Sequence, residues 1–289
     1  MKKFALASAL TATVAVSSAA VAQQPAPPAP PKSPWTATAN INLVSDYRFR
    51  GITQTWGKPA VQGGADIAHD GGFFAGTWAS NVSGNEYPGG SLEWDFYGGW
   101  NFKLSDDLTI PVGAIYYYYP GSNYNKSACP SAGFAGTVSP CGPDVSPNNF
   151  ELNAGITWKW LSFKASVALT DYFGADQSLG FTGGTSGTQY YDLGVNFPIT
   201  EQLTLNAHAG YTNFTKDYNG PNGTVNPSYW DWKLGATYVF EGGWTLGAYY
   251  VQASNDTYWR PPVGGLSFAN TDTKNLNGAT AVLLVGRTF

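Results

Sequence analysis

Leu92-Glu93-Trp94-Asp95-Phe96-Tyr97-Gly98-Gly99-Trp100-Asn101-Phe102 reads as two interleaved lists. Leu92, Trp94, Phe96, Gly98, Trp100 and Phe102 form one; Glu93, Asp95, Tyr97, Gly99 and Asn101 form the other. Successive side chains of a strand point to opposite faces, so this period of two describes a strand with one greasy side and one polar side. The pattern recurs. Phe150, Leu152, Ala154, Ile156 and Trp158 alternate with Glu151, Asn153, Gly155, Thr157 and Lys159, and Trp230, Trp232, Leu234, Ala236, Tyr238 and Phe240 alternate with Asp231, Lys233, Gly235, Thr237 and Val239.

Such runs give twelve expected strands, near 37-50, 59-69, 73-82, 91-103, 107-119, 149-159, 161-171, 188-198, 202-213, 228-240, 244-254 and 279-289. Soluble strands average about 5 or 6 residues, whereas a tilted strand crossing a bilayer needs about 9 to 11. Most of these runs have the longer length. Short turns such as Asp70-Gly71-Gly72 and Leu104-Ser105-Asp106 alternate with long loops near 51-58, 83-90, 120-148, 172-187, 214-227 and 255-278. That is the arrangement of outer-membrane barrels, with short periplasmic turns and long external loops. An open sheet edge in lipid leaves backbone groups unpaired, so the sheet must close. The expected fold class is therefore all-β, a transmembrane up-and-down antiparallel β-barrel of about twelve strands.

Aromatic residues fall near both ends of the apolar faces. Tyr47, Phe49, Trp94, Phe150 and Trp230 are expected at the outer headgroup level, and Phe102, Trp158, Phe240, Trp244 and Phe289 at the inner one. The terminal strand carries Ala281, Leu283 and Val285 and ends on Phe289.

Composition narrows the class further. Of 289 residues 43% are apolar, 16% aromatic and only 12% charged, about half the charged share of an ordinary soluble domain. The net charge is −4, so the basic field needed for nucleic-acid binding is missing. Lys2 and Lys3, a short apolar run and Ala20-Val21-Ala22 read as a signal peptide over 1-22. A Pro-rich periplasmic leader over 23-35 and the barrel over 36-289 complete the expected organisation. After the signal no apolar stretch reaches the ~18 residues of a spanning helix. Cys129 and Cys141 lie in one Gly/Pro/Ser-rich loop, where an oxidising compartment favours a disulfide. Metal binding is the weaker reading, because two thiols and the distant His69 and His208 lack zinc-site spacing.

Two stretches resemble a known family. Ser45-Asp46-Tyr47-Arg48-Phe49-Arg50-Gly51-Ile52-Thr53-Gln54-Thr55 is similar to the opening motif of the TorF-family porins of Gram-negative bacteria, and Gly72-Phe73-Phe74-Ala75-Gly76-Thr77-Trp78-Ala79-Ser80-Asn81-Val82 to the second. Glu93-Trp94-Asp95-Phe96-Tyr97-Gly98-Gly99-Trp100 and the Phe289 ending also resemble that family. The resemblance implies an outer-membrane barrel with a pore role and names no substrate.

With Ile41 and Leu43 on the lipid side, alternation sends Asp46, Arg48 and Arg50 inward and Tyr47 and Phe49 outward. Asp66, Glu93, Asp95, Glu151, Asp192 and Asp231 share the inward face, with Lys159, Lys164, Lys233 and Arg287 lining the lower lumen. A charge facing lipid costs up to ~2 to 4 kcal/mol, so one-sided placement marks a wet or paired interior. Arg48 and Arg50 are expected to oppose carboxylates across a constriction, making a transverse field for small polar solutes. The functional expectation is a bacterial outer-membrane, porin-like channel for passive diffusion of such solutes, in contact with outer-membrane lipid and lipopolysaccharide. It needs no cofactor and is not an enzyme: neither His69 nor His208 has a serine on its own strand face to activate. The competing reading is surface adhesion or recognition by the long loops on a closed barrel.

Overall fold

The computed structural model describes residues 33–128, 142–220, 222–261 and 263–289. The expected signal over 1-22, most of the leader and the Cys129–Cys141 pairing lie outside the described residues. Trp35, assigned to the leader, already belongs to the first strand.

Twelve strands form one closed antiparallel barrel. They are β1 (Trp35–Val44), β2 (Ala60–His69), β3 (Phe73–Asn81), β4 (Leu92–Lys103), β5 (Leu108–Tyr118), β6 (Asn149–Trp158), β7 (Leu161–Ala168), β8 (Gln189–Pro198), β9 (Leu203–Asn213), β10 (Tyr229–Val239), β11 (Trp244–Ala253) and β12 (Thr280–Thr288). Each pairs with its neighbours in sequence. Closure comes from β1, which pairs Val44 with Ala60 of β2 on one edge and with Leu284 of β12 on the other. No helix among the described residues is long and apolar enough to cross a membrane.

The two faces follow the alternation. Outward-pointing Ile41, Leu152, Leu193, Leu234 and Leu283 are all exposed, and so are Trp94 and Trp230 near the long-loop end and Phe102, Trp158, Phe240, Trp244 and Phe289 near the short-turn end. Large apolar side chains open to the exterior all round a closed cylinder define a lipid-facing wall. Pro111 sits inside β5 without an amide hydrogen, and the β5–β6 pairing is interrupted between Thr109 and Val112.

The apolar core lies inside the cylinder, confined to the long-loop half. One cluster gathers Val44, Tyr47, Tyr117, Val251 and Val282, and a second gathers Ile52, Trp56, Tyr172, Phe181, Phe214 and Leu276.

Three sequence expectations need correction. β1 ends at Val44 rather than near 50, so alternation does not extend to Tyr47 and Phe49; both turn into the barrel, where Tyr47 is buried against Trp78 and Phe49 packs on Tyr117. Lys159 is not on the wall. It occupies the two-residue β6–β7 turn with φ of 54° and reaches Asp107 on the adjacent turn at 3.5 Å, because so tight a hairpin needs a left-handed residue. Arg287 shares the outward face of Leu283 and Val285, its guanidinium 5.4 Å from the Trp244 ring centroid and 4.8 Å from that of Phe289. There it lies among headgroup-level aromatics, where a long basic side chain reaches water.

Leu152 and Asn153 are neighbours on opposite faces of β6. Leu152→Arg is expected to destabilise the barrel by about 2 to 4 kcal/mol in urea titrations of the protein folded into lipid vesicles. Asn153→Arg, on the polar face, should cost clearly less.

Candidate functional site

Beyond Val44 the chain leaves the wall, with the Ser45 amide donating to the Leu283 carbonyl at 2.9 Å as its last backbone tie to the barrel sheet. Residues 45–58 then fold back into the lumen. Arg48–Phe49 and Ile52–Thr53 form a small antiparallel ribbon whose two-residue turn, Arg50-Gly51, has φ of 47° and 78°. Positive φ at both central positions is the turn that suits the right-handed twist of a hairpin.

Asp46 fixes the base of this hairpin. Its carboxylate accepts from the Thr53 hydroxyl (2.6 Å), the Thr55 hydroxyl (3.1 Å) and Arg48 Nε (2.6 Å). Arg48 also donates to the carbonyls of Gly51, Leu276 and Gly278 and to the Thr280 hydroxyl at 2.7 Å, pinning the hairpin to the last long loop and to β12. Tyr47 donates to Glu93 of β4 at 2.9 Å.

The tip crosses to the opposite wall. Arg50 donates to both carboxylate oxygens of Glu151 on β6, at 3.0 and 2.7 Å, and to the Tyr172 hydroxyl at 2.9 Å. Its guanidinium lies 4.1 Å from the Tyr190 ring centroid on β8. A fork matched to a carboxylate and stacked on an aromatic face is a role for arginine that lysine cannot copy. Gly51 rests on β10 and β11: a Cβ there would come within 2.7 Å of the Asp231 side chain and 2.8 Å of Ala253. Only glycine lets the turn lie so close while holding positive φ.

The hairpin and the loop around Phe173 fill the upper lumen. Every strand contributes an inward residue buried at this level: Val44, Gln62, Ser80, Asp95, Tyr117, Glu151, Ser166, Tyr190, Thr212, Asp231, Val251 and Val282. Glu93 and Glu151 are each 1% exposed and Asp231 2%. Toward the short-turn end the lumen opens, with Lys164 and Asn196 exposed and Asp66, Tyr97, Asp192, Lys233 and Thr237 half-buried.

Of the residues expected to face inward, Asp66, Glu93, Asp95, Glu151, Lys164, Asp192, Asp231 and Lys233 lie on the inner side of barrel strands, whereas Asp46, Arg48 and Arg50 belong to the inserted segment beyond β1 and Lys159 to a turn. The expected gap between opposed charges is not found. Arg48 and Arg50 touch Asp46 and Glu151 directly, so their fields are largely cancelled at contact. The belt is not fully satisfied: Glu93 Oε2, Asp95 Oδ1 and Asp231 Oδ2 are buried without a hydrogen-bond partner among the described residues. Unmet buried acceptors each cost about 1 to 3 kcal/mol, more when charged.

Below the tip lies a residue that sequence reasoning considered only as a zinc ligand or catalytic base. His208 places Nδ1 2.7 Å from Asp192 and Nε2 2.6 Å from Asp231, with the Tyr190 hydroxyl 3.1 Å from Nε2. Its parity on β9 was readable, but the register that sets it between two carboxylates was not. Lys164 is the cross-strand partner of Asp192, and Lys233 that of His208. Tyr97 donates to Asp66 at 2.6 Å across the lower wall.

Above the hairpin is a cavity of about 460 Å³ among the long loops. Glu86 lines it and accepts from the Trp56 amide at 3.1 Å. Burial pushes the Glu86 carboxyl well above the usual carboxylate range, and the bond from Trp56 only partly opposes this.

A closed twelve-stranded cylinder with lipid-exposed aromatics and a charged interior is the architecture of the outer-membrane β-barrels. The chain belongs to the family described as bacterial protein of unknown function (Gcw_chp), whose model matches residues 28–289. No curated protein sequence matches it. Among solved structures the fold is similar to that of the NanC porin, at 11% identity over 88% of this chain and 99% of that one, with a TM-score of 0.50. The KdgM porin in complex with disordered oligogalacturonate aligns at 7% identity over 88% and 98%, TM-score 0.48. An outer membrane channel from Pseudomonas putida aligns at 12% over 90% and 97%, TM-score 0.47.

Glu151→Ala, which strands the Arg50 guanidinium, is expected to destabilise the docked hairpin by about 3 to 5 kcal/mol. The readout is faster amide exchange confined to residues 46–56, with barrel strands unchanged. Adding Arg50→Ala should restore part of the protection, since the two side chains act as one unit.

Proposed function

We propose that this protein is a porin-like outer-membrane channel for passive diffusion of small polar solutes, in which the hairpin over residues 45–58 is the gate. The observation that carries the reading is the division of the lumen. Its lower half is polar with exposed side chains, and among the described residues the inserted hairpin and the Phe173 loop lie between it and the long-loop end.

The closure has the character of a latch. It uses charge-assisted bonds, one stacked arginine and carboxylates with unmet acceptors, and wetting this belt would relieve the desolvation that closure imposes. When the hairpin shifts, Glu93, Asp95, Glu151 and Asp231, spread around the barrel on β4, β6 and β10, face water, with Lys164 and Lys233 below them. Such a lumen discriminates by charge placement. The likeness of residues 45-55 and 72-82 to the TorF-family porins supports the same role. It also gives that opening motif a structural meaning, because the motif is the plugging hairpin itself. A signal over 1-22, an extended leader over 23-35 and short turns on the periplasmic side would place the long loops at the cell surface, among lipopolysaccharide.

A second reading has its own support in the filled belt, which equally suits a closed barrel serving as pedestal for recognition loops. Planar-bilayer recording separates the two. Refolded wild-type protein should show infrequent ohmic steps, and Arg50→Ala should raise the open fraction several-fold with ion selectivity shifted toward cations. Complete silence of both proteins would refute the channel and leave the pedestal.

A further inference from the structure

We propose that the cavity at the long-loop end binds a small aromatic molecule that carries no negative charge. Its volume of about 460 Å³ falls in the range of small-molecule sites. Rings dominate the walls: Tyr124, Phe181, Phe214, Tyr218, Tyr258 and Phe268. They hold one another in fixed orientations, with Phe181 stacked on Phe214 at 6.0 Å and 9°, Phe181 edge-on to Tyr218 at 5.4 Å, and Tyr218 edge-on to Tyr258 at 5.4 Å. A further ring is the guest that such edges and faces accept at little reorganisation cost.

Gln54 and three lining serines are engaged within the protein, which leaves them poorly placed to meet the several hydroxyls of a sugar. Gln54 donates to the carbonyls of Ile52 and Thr53 and accepts from the Tyr87 hydroxyl. The Ser127 hydroxyl donates to the Tyr124 carbonyl, that of Ser178 to Asp176 and that of Ser267 to Asn85. Trp259 differs: it lines the cavity, and its buried Nε1–H has no partner among the described residues. A hydroxyl or ether oxygen on the guest would meet that donor.

Charge excludes anions. Among the described residues no lysine, arginine or histidine lines the cavity, and Glu86 is the one carboxyl that does. Asp46, Arg48 and Lys274, the charged groups that act on Glu86, are not part of the lining. An anion entering would lose its hydration to ring faces and a carboxyl, with no cation at the wall to receive it. The floor is made by Phe49, Ile52 and Gln54 of the inserted hairpin. Binding itself does not depend on whether the barrel conducts.

The test is isothermal titration calorimetry on the full chain refolded into lipid nanodiscs, with benzyl alcohol, benzyltrimethylammonium, benzoate and galactose as probes. Saturable binding of the first two, benzoate weaker by roughly tenfold or more, and no heat from galactose are expected. Ser178→Trp, from the exposed rim into the cavity, should weaken benzyl alcohol binding by a similar factor while the barrel keeps its heat-modifiable mobility. Phe214→Leu, which widens the wall, should favour 2-naphthalenemethanol over benzyl alcohol. Benzoate binding as tightly as benzyl alcohol, saturable galactose, absence of binding by either favoured probe, or affinities unmoved in both folded variants would overturn the proposal.

Discussion

Within a bilayer no backbone amide or carbonyl can be left for water to satisfy, and this single constraint governs the rest of the molecule. It is met where β1 binds β2 along one edge and β12 along the other, leaving no open strand in the hydrocarbon. Closure then fixes the side chains. Each strand has a lipid face and a lumen face, and a slip of one residue would send Glu93, Asp95 or Glu151 into the acyl chains.

A twelve-stranded cylinder has an interior wider than its wall residues can fill, being larger than the eight-stranded barrels that side chains pack solid. The protein fills half of it with its own chain. The hairpin is polar at its base, where Asp46 and Arg48 saturate one another and nearby carbonyls, and cationic at its tip, where Arg50 reaches Glu151. The apolar residues between them, Tyr47, Phe49 and Ile52, supply area burial against Trp78, Tyr117, Phe173 and Leu276. Apolar contact holds the segment in the barrel and ionic contact fixes its register. A segment that relies on paired buried charges gains specificity of position more than stability.

The lumen is consequently asymmetric. Its lower half keeps water against Lys164, Asp192 and Lys233, with His208 bridging carboxylates from two strands. Its upper half is closed, and the chamber above the closure is aromatic. The floor of that chamber is the top of the hairpin, so one fourteen-residue segment faces both compartments.

Much of this was written in the sequence. Period-two alternation located all twelve strands, most to within a residue or two, because lipid outside and polar surface inside impose opposite demands on adjacent side chains. The inward carboxylates of β2, β4, β6, β8 and β10 and the lipid-facing rings were legible for the same reason. What alternation could not show is where the wall stops being a wall. Tyr47 and Phe49 continue the arithmetic of β1, yet the chain has already turned inward after Val44, and nothing local distinguishes a ring for headgroups from a ring for a plug. Nor could spacing reveal that Arg50 meets Glu151, 101 residues away, or that His208 lies between Asp192 and Asp231. Faces are a property of neighbouring residues along one strand and so belong to the sequence. Partners across a lumen depend on the register and circumference of the closed sheet, which exist only once all twelve strands have joined.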